Sequence, residues 1–264
     1  MHIPEEQLRV SLLQADLYWE NPEANRAMFE EMIWQLQMPV DVIVLPEMFT
    51  TGFSMSPEKL AEPMNLHTQK WMRQMAVQTH AAICGSYIVT ENGRYYNRFL
   101  WMQPNGKYLY YDKKHLFGIA GETIHYTAGT EPLVIEWHGW RICPMICYDL
   151  RFPVWSRLRA ELHYDLLIYV ANWPAPRIHA WNTLLQARAI ENQAYCIGVN
   201  RIGTDGYGHH YTGESAAIDY TGRQLFYAKE TTATATVILD KQQLNKFRQS
   251  FPFQNDADRF KILP

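Results

Sequence analysis

Short runs of apolar residues alternate along this chain with segments whose apolar positions recur every three or four residues, the pattern of buried strands interleaved with amphipathic helices. Leu8-Arg9-Val10-Ser11-Leu12-Leu13 reads as a first strand. Asn21-Pro22 then offers an N-cap and a proline at the first helical position, and Met28, Met32, Ile33 and Leu36 form the inward stripe of the helix that follows. Asp41-Val42-Ile43-Val44-Leu45 is a short buried strand stopping at Pro46, with Glu47 just beyond. Trp71, Met72, Met75 and Ala76 stripe a second helix, and Ala81 to Val89 is a strand ending at the Glu91-Asn92-Gly93 turn. Tyr95 to Met102 and Lys107 to Tyr111, joined at Pro104-Asn105-Gly106, read as a hairpin.

Gly121 to Thr130 reads as a loop and Leu133 to Trp137 as a strand. The apolar run up to Cys147 breaks into a polar turn, and Val154, Leu158 and Leu162 predict a helix after Pro153. Asp165 to Ala171 is again a buried strand, running into Asn172-Trp173-Pro174. Trp181, Leu184, Leu185 and Ala189 stripe the next helix, which places Arg188 and Glu191 on its far side. A strand from Ala194 to Val199, a Gly-rich loop from Gly203 to Thr212, a hairpin turn at Thr221-Gly222, a strand through Thr236-Leu239 and an Asp240-capped helix complete the pattern. Strands alternate with helices in both halves, which predicts one mixed α/β domain over 1–264. The tail from 250 to 264 alternates aromatic and charged residues and is expected to pack on the body or on a partner subunit.

Composition narrows the classes. With 47% apolar and 14% aromatic residues the 264-residue chain can bury a large core. A net charge of −3 without a basic block argues against nucleic acid or an anionic membrane as partner. The first ten residues lack the regions of a leader peptide, and no apolar run approaches the ~20 residues that span a bilayer. Four cysteines, three of them inside apolar runs, look reduced, so a cytoplasmic location is expected.

Three buried strands therefore end in Glu47, in Cys147 and in Asn172-Trp173, and ligands of open α/β sheets bind beyond the carboxyl ends of strands. A carboxylate beside a cysteine can take its proton and later activate water. Cys143 and Cys147 do not suit a metal, because four residues of strand span roughly 13 Å. Tyr111-Asp112-Lys113-Lys114-His115-Leu116-Phe117 adds cations to an aromatic setting, and an ammonium lowers a nearby thiol's pKa and stabilises an oxyanion. Periodicity does not choose among Lys113, Lys114 and His115.

The segments Leu45-Pro46-Glu47-Met48-Phe49, Lys113-Lys114-His115-Leu116-Phe117 and Ile146-Cys147-Tyr148-Asp149-Leu150-Arg151-Phe152 resemble, in order and spacing, those of the nitrilase superfamily of carbon–nitrogen hydrolases. Gly121-Glu122, Ala128-Gly129, Ala171-Asn172-Trp173-Pro174 and Ala187 to Gln193 extend the resemblance over nearly the whole chain. It implies a four-layer-forming α-β-β-α sandwich with mixed sheets, commonly dimerised through helices, and needs neither metal nor cofactor. By its pattern Glu47 matches the general base, Lys113 the lysine, Cys147 the nucleophile and Glu122 the second glutamate, while the Tyr148 N–H joins Lys113 in the oxyanion hole and His115 becomes structural.

Leu-Pro-Glu-Met-Phe-Thr-Thr-Gly-Phe, Asn-Trp-Pro and the tail Phe251 to Asp258 look like the bacterial omega-amidases, which release ammonia from the terminal amide of 2-oxo acids. The expected partners are thus a small amide, water and a second copy of the chain. Asn172 and Trp173 are expected in the substrate site, with Arg151 or Arg177 meeting a distal carboxylate. The alternatives are another substrate for the same chemistry (aliphatic amide, nitrile or N-carbamoyl amine) and a silent binding module with this fold.

Overall fold

The computed structural model describes residues 6–262; part of the stretch read for a leader, residues 1–5, and the last two residues of the tail lie outside the described residues. In chain order the elements are β1 (Gln7–Gln14), α1 (Pro22–Trp34), β2 (Val42–Val44), α2 (Pro57–Leu60), α3 (His67–Thr79), β3 (Ala82–Glu91), β4 (Arg94–Met102), β5 (Tyr108–Asp112), α4 (Glu122–His125), β6 (Ile135–Trp137) and β7 (Trp140–Ile146). There follow α5 (Pro153–Ser156), β8 (Leu166–Ala171), α6 (Ile178–Asn192), β9 (Tyr195–Asn200), β10 (Ile202–Thr204), β11 (His210–Ile218), β12 (Gln224–Lys229), β13 (Ala233–Asp240) and α7 (Lys241–Ser250).

The strands form two mixed sheets. One runs β13-β1-β2-β3-β4-β5; the other runs β10-β11-β9-β8-β7-β6, with β12 on β11. Strict period-two alternation makes two-sided sheets of them. Val10, Leu12, Val44, Cys84, Phe99 and Trp101 point into a core shared with the second sheet. Their neighbours Leu13, Ile43, Leu45, Ile83 and Leu100 point outward onto Phe29 and Ile33 of α1 and Met72, Met75 and Ala76 of α3. On the second sheet's far side Trp181 and Leu185 of α6 lie so close to Gly198 that a Cβ there would meet Leu185 at 2.5 Å. The layers are therefore helix, sheet, sheet, helix: the α-β-β-α sandwich.

The middle of each sheet is a parallel triplet, β1-β2-β3 in one and β7-β8-β9 in the other. Glu47 follows β2, Cys147 follows β7 and Asn172 follows β8, so all three lie beyond carboxyl ends, as the strand reading required.

Local signals held where capping or turn chemistry was explicit. Asn21 caps α1 by accepting from the Ala24 N–H, and Asp240 caps α7 by accepting from Gln243 N–H. Elsewhere tertiary contacts overrode periodicity. In α1 it is Phe29, not Met28, that is fully buried. The helix expected through Leu162 stops at Ser156: Arg157 is extended, and the Leu158 N–H is taken by Asn192 Oδ1 at 2.8 Å instead of by a helical carbonyl. The loop from Gly121 contains the single turn α4, and the Gly-rich segment from Gly203 contributes β10 and the start of β11. Arg188 is not on an outer face; its guanidinium is buried and donates to the Leu150 carbonyl at 2.7 Å, tying α6 to the turn that carries Cys147.

Candidate active site

Each candidate side chain sits at a break in regular structure that its neighbours enforce. Pro46 has no N–H to continue the ladder of β2. The chain kinks at Met48 (φ +42°), whose N–H is taken by Ser86 Oγ at 2.9 Å, and Glu47 is left fully buried between the sheets. Lys113 follows β5 directly; its N–H donates to the Asn97 carbonyl at 3.0 Å and its carbonyl accepts from Gly129 N–H at 2.9 Å. Only glycine allows that second contact, because a Cβ at Gly129 would lie 2.1 Å from the Asp112 carbonyl oxygen. Glu122 opens α4 and accepts from the Phe117 N–H at 2.5 Å, which folds the connecting loop back over Lys113.

Cys147 occupies a left-handed backbone conformation (φ +44°) at the head of a 3-10 turn spanning Cys147–Arg151. Such a φ is strained for a residue with a Cβ, and it turns the side chain out of the sheet. First-turn N–H groups have no acceptor inside their own helix, so the Tyr148 N–H is free to meet an anion. Asp149 fixes the turn: Oδ2 accepts from Ile146 N–H at 3.0 Å and from the Tyr111 hydroxyl at 2.7 Å, while Oδ1 meets His115 Nδ1 at 2.8 Å. The strand bearing the lysine and the turn bearing the cysteine are thereby clamped together.

The head groups converge. Lys113 Nζ donates to Glu47 Oε1 at 2.9 Å and to Glu122 at 2.9 and 3.1 Å, and all three side chains are fully buried. Glu47 Oε2 accepts from the Asn172 N–H at 2.8 Å, and the Asn172 carbonyl lies 3.9 Å from Cys147 Sγ. Two carboxyl groups and one amine thus share a single buried hydrogen-bonded cluster.

Burial, then the Glu47 carboxylate, push Cys147 well above the usual thiol range; the Lys113 ammonium pulls the other way and loses. Lys113 thus acts on the thiol in the expected direction, lowering its pKa, without outweighing burial and Glu47. Burial likewise opposes the charge on Lys113, but Glu122 and Glu47 outweigh it and hold the ammonium above its usual range. Glu122 is raised by burial, against the pull of Lys113.

A direct consequence is measurable. Iodoacetamide labelling of Cys147, followed by mass spectrometry of its peptide, should keep rising with pH past the ordinary thiol value of about 8.5. Glu122→Gln, which deletes a charge that raises the thiol, should move the curve to lower pH. A wild-type curve that levels off below neutrality would contradict a buried thiol held above its usual range.

Lys113 and Cys147 open onto a cavity of about 460 Å³. Its walls include Phe53, Phe117, Tyr148, Trp173, Tyr207 and Tyr211, with Arg151 and Arg177 as further cations. The Arg151 guanidinium lies over the Trp173 ring at 4.8 Å and that of Arg177 over Phe117 at 5.3 Å. Neither has a carboxylate within 4.0 Å among the described residues. Asp205 also lines the cavity, but its Oδ1 accepts from Tyr207 and His209 N–H and its Oδ2 from the Tyr211 hydroxyl. Among the described residues no cluster of three or more metal-ligating side chains occurs.

Glu47, Lys113, Glu122 and Cys147 thus meet at one place, with Tyr148, Arg151, Asn172, Trp173 and Arg177 around it. Lys114 and His115 point elsewhere, Lys114 toward the Trp155 ring and His115 onto Asp149. Sequence reasoning missed Asn97, Asp149 and the wall from Asp205 to Tyr211. The one signal for Asn97 was a neutral polar residue within the apolar, aromatic strand Tyr95–Met102, and nothing local says what it faces.

A family model described as carbon-nitrogen hydrolase matches residues 9–249. The omega-amidase YafV of Yersinia enterocolitica is 48% identical over 257 residues, covering 97% of this chain and 99% of that one. The 2-oxoglutaramate amidase of Bacillus subtilis (strain 168) is 32% identical over 251 residues, 94% of this chain and 96% of its own length. Among solved structures, XC1258 from Xanthomonas campestris, a CN-hydrolase superfamily protein with an arsenic adduct in its active site, superposes with a TM-score of 0.94 at 42% identity, covering 99% of this chain and 100% of that one.

Proposed function

Because this chain belongs to the carbon–nitrogen hydrolase family, we infer that it is an omega-amidase, hydrolysing the terminal amide of 2-oxo acids such as 2-oxoglutaramate and 2-oxosuccinamate to the dicarboxylate and ammonia. The observation that carries this reading is the buried Glu47–Lys113–Glu122 cluster set against Cys147 in a cavity that also holds two unpaired arginines.

The thiol proton passes to Glu47 as Cys147 Sγ attacks the amide carbonyl. The oxyanion forms against the Lys113 ammonium and the Tyr148 N–H. Negative charge moves from Glu47 to the substrate oxygen while the total inside the site stays the same, so no new charge has to be solvated in a buried place. Collapse of the tetrahedral intermediate returns the proton from Glu47 to the departing nitrogen, and ammonia leaves a thioester. Water, losing a proton to Glu47, then cleaves the thioester, and Cys147 recovers its proton. Glu122 keeps Lys113 charged and in place, and Asn172 holds Glu47 toward the sulfur.

Selectivity for an acid at the far end of the substrate falls to Arg151 and Arg177, the cavity's cations without internal partners. A guanidinium–carboxylate contact is worth about 1.5–3 kcal/mol, so losing the relevant arginine to alanine should raise KM for 2-oxoglutaramate roughly ten- to a hundredfold and leave a simple aliphatic amide nearly unaffected. Ammonia release from 2-oxoglutaramate, 2-oxosuccinamate, glutamine, asparagine, a nitrile and a carbamoyl amine tests both claims. Preference for the nitrile or the carbamoyl amine would remove the omega-amidase reading. Unchanged KM in both arginine variants would move the carboxylate site elsewhere.

We further propose a cytoplasmic homodimer. Its supports are four unpaired cysteines and a tail that leaves Phe251 and Phe253 exposed as an apolar face for a second copy. A particle near twice the 31.0 kDa chain mass in sedimentation equilibrium is the expected result; a 31.0 kDa species would exclude it.

A further inference from the structure

Asn97 lies on β4, fully buried, with its carboxamide inside the charged cluster. Its Nδ2 donates to Glu47 Oε1 at 2.8 Å and to Glu122 Oε1 at 3.3 Å. These are two of the oxygens to which Lys113 Nζ also donates, at 2.9 and 3.1 Å. Ammonium and amide therefore sit on opposite corners of a four-membered ring of hydrogen bonds, with a carboxylate oxygen from each glutamate at the other two. The backbone closes the arrangement from behind, because the Asn97 carbonyl also accepts the Lys113 N–H at 3.0 Å. The amide's orientation follows from chemistry: turned over, its carbonyl oxygen would face two carboxylate oxygens. In the orientation seen, Asn97 Oδ1 has no partner among the described residues, so both useful contacts of this buried group are donations to the glutamates.

One ammonium is not enough for two carboxylates this close in a dry site, and like charges there drive one of them to take up a proton. The Oε2 atoms already accept the Asn172 and Phe117 N–H groups; Asn97, a donor without charge of its own, adds one contact to the Oε1 of both glutamates at once. We propose that Asn97 is a positioning residue that holds the Glu47 and Glu122 carboxyl groups side by side and keeps Glu47 aimed at Cys147 as its base. The groups facing this carboxylate pair are Lys113 from the loop after β5, Cys147 from the turn after β7 and Tyr126 after α4, whose hydroxyl is committed to the Ser54 carbonyl. None of them replaces the donor.

The proposal rests on Glu47 acting as the base, and the experiment separates the two. Asn97→Leu keeps the volume and deletes the donor. It should lower kcat on 2-oxoglutaramate at neutral pH by about a hundredfold, change KM less than about threefold and move the acid limb of the kcat profile up by about one pH unit. A carboxamide that served packing alone would leave that limb where it is. The double variant Asn97→Leu/Glu122→Gln, which removes one of the two like charges, should bring the limb back down whatever its absolute rate. Asn97→Ala, which deletes the donor without adding a titratable group, reports the same shift if Asn97→Leu is poorly soluble. A folded variant with the wild-type limb overturns the proposal. If Glu47→Gln proved fully active, the reading of Glu47 as base would fall first, independently of Asn97.

Discussion

Cys147→Ala should lower ammonia release from 2-oxoglutaramate by about 10⁴–10⁶-fold, the range seen when a covalent nucleophile is removed from a site that otherwise stays intact. The fold should survive. The side chain has 9% of its surface exposed and points to the cavity, the turn is held by Asp149 and by Arg188, and alanine meets the same left-handed strain that cysteine already bears. Substrate affinity should be little changed, since Lys113, Arg151 and Arg177 remain. Mass spectrometry of wild-type protein quenched during turnover should find the acyl group on the Cys147 peptide, and the variant should carry none. Activity above about a tenth of wild type in Cys147→Ala would end the covalent mechanism, because the oxyanion donors alone supply far less.

Lys113→Met should damage both activity and stability. Loss of an oxyanion donor costs about 10²–10³-fold in kcat. Leaving two buried carboxylates without their cation costs about 3–5 kcal/mol, on the order of 10 °C in melting temperature for a chain of this size. The pH dependence has a definite sign. Burial already holds Glu122 above the ordinary carboxylate range against the pull of Lys113, and deleting the lysine lets it rise further. A carboxyl with a folded pKa above its unfolded one gives stability that is full below the unfolded value and lost as pH rises through the folded one. The variant should therefore lose more stability than wild type as pH rises above the ordinary carboxylate range, measured in urea titrations. Lys114→Ala, by contrast, should stay near wild type, since the Lys114 ammonium lies over the Trp155 ring at 5.3 Å and neither residue lines the cavity. The opposite result, an active Lys113 variant beside a dead Lys114 one, would reverse the assignment.

What could be read along the chain was whatever neighbouring residues decide between themselves. The Asn21-Pro22 cap, the Asn105-Gly106 hairpin, the period-two strands and the apolar stripe of α3 are of this kind, and each is present. So are the polar exits of β2, β7 and β8, since an apolar run that must end at a sheet edge exposes whatever comes next. The family resemblance of the three motif segments and of Gly121-Glu122 went further and pointed to Glu47, Lys113, Glu122 and Cys147.

Periodicity failed wherever a distant residue supplied the hydrogen bond. Asn192 ends the helix after Pro153, Leu150 draws Arg188 inward, and the Cys147 turn is held by residues of the 111–115 segment. The raised pKa of Cys147 belongs to the same class: it comes first from burial and then from Glu47, and the lysine taken alone points the other way. Asn97 marks the limit most plainly, because its role is defined by Glu47, 50 positions before it, and Glu122, 25 after. Short motifs and the resemblance they carry pick out the candidate residues of this protein; only the packing of its two sheets sets their distances and their burial, because electrostatic energy depends on separation in space and on excluded water, neither of which is a property of neighbouring residues.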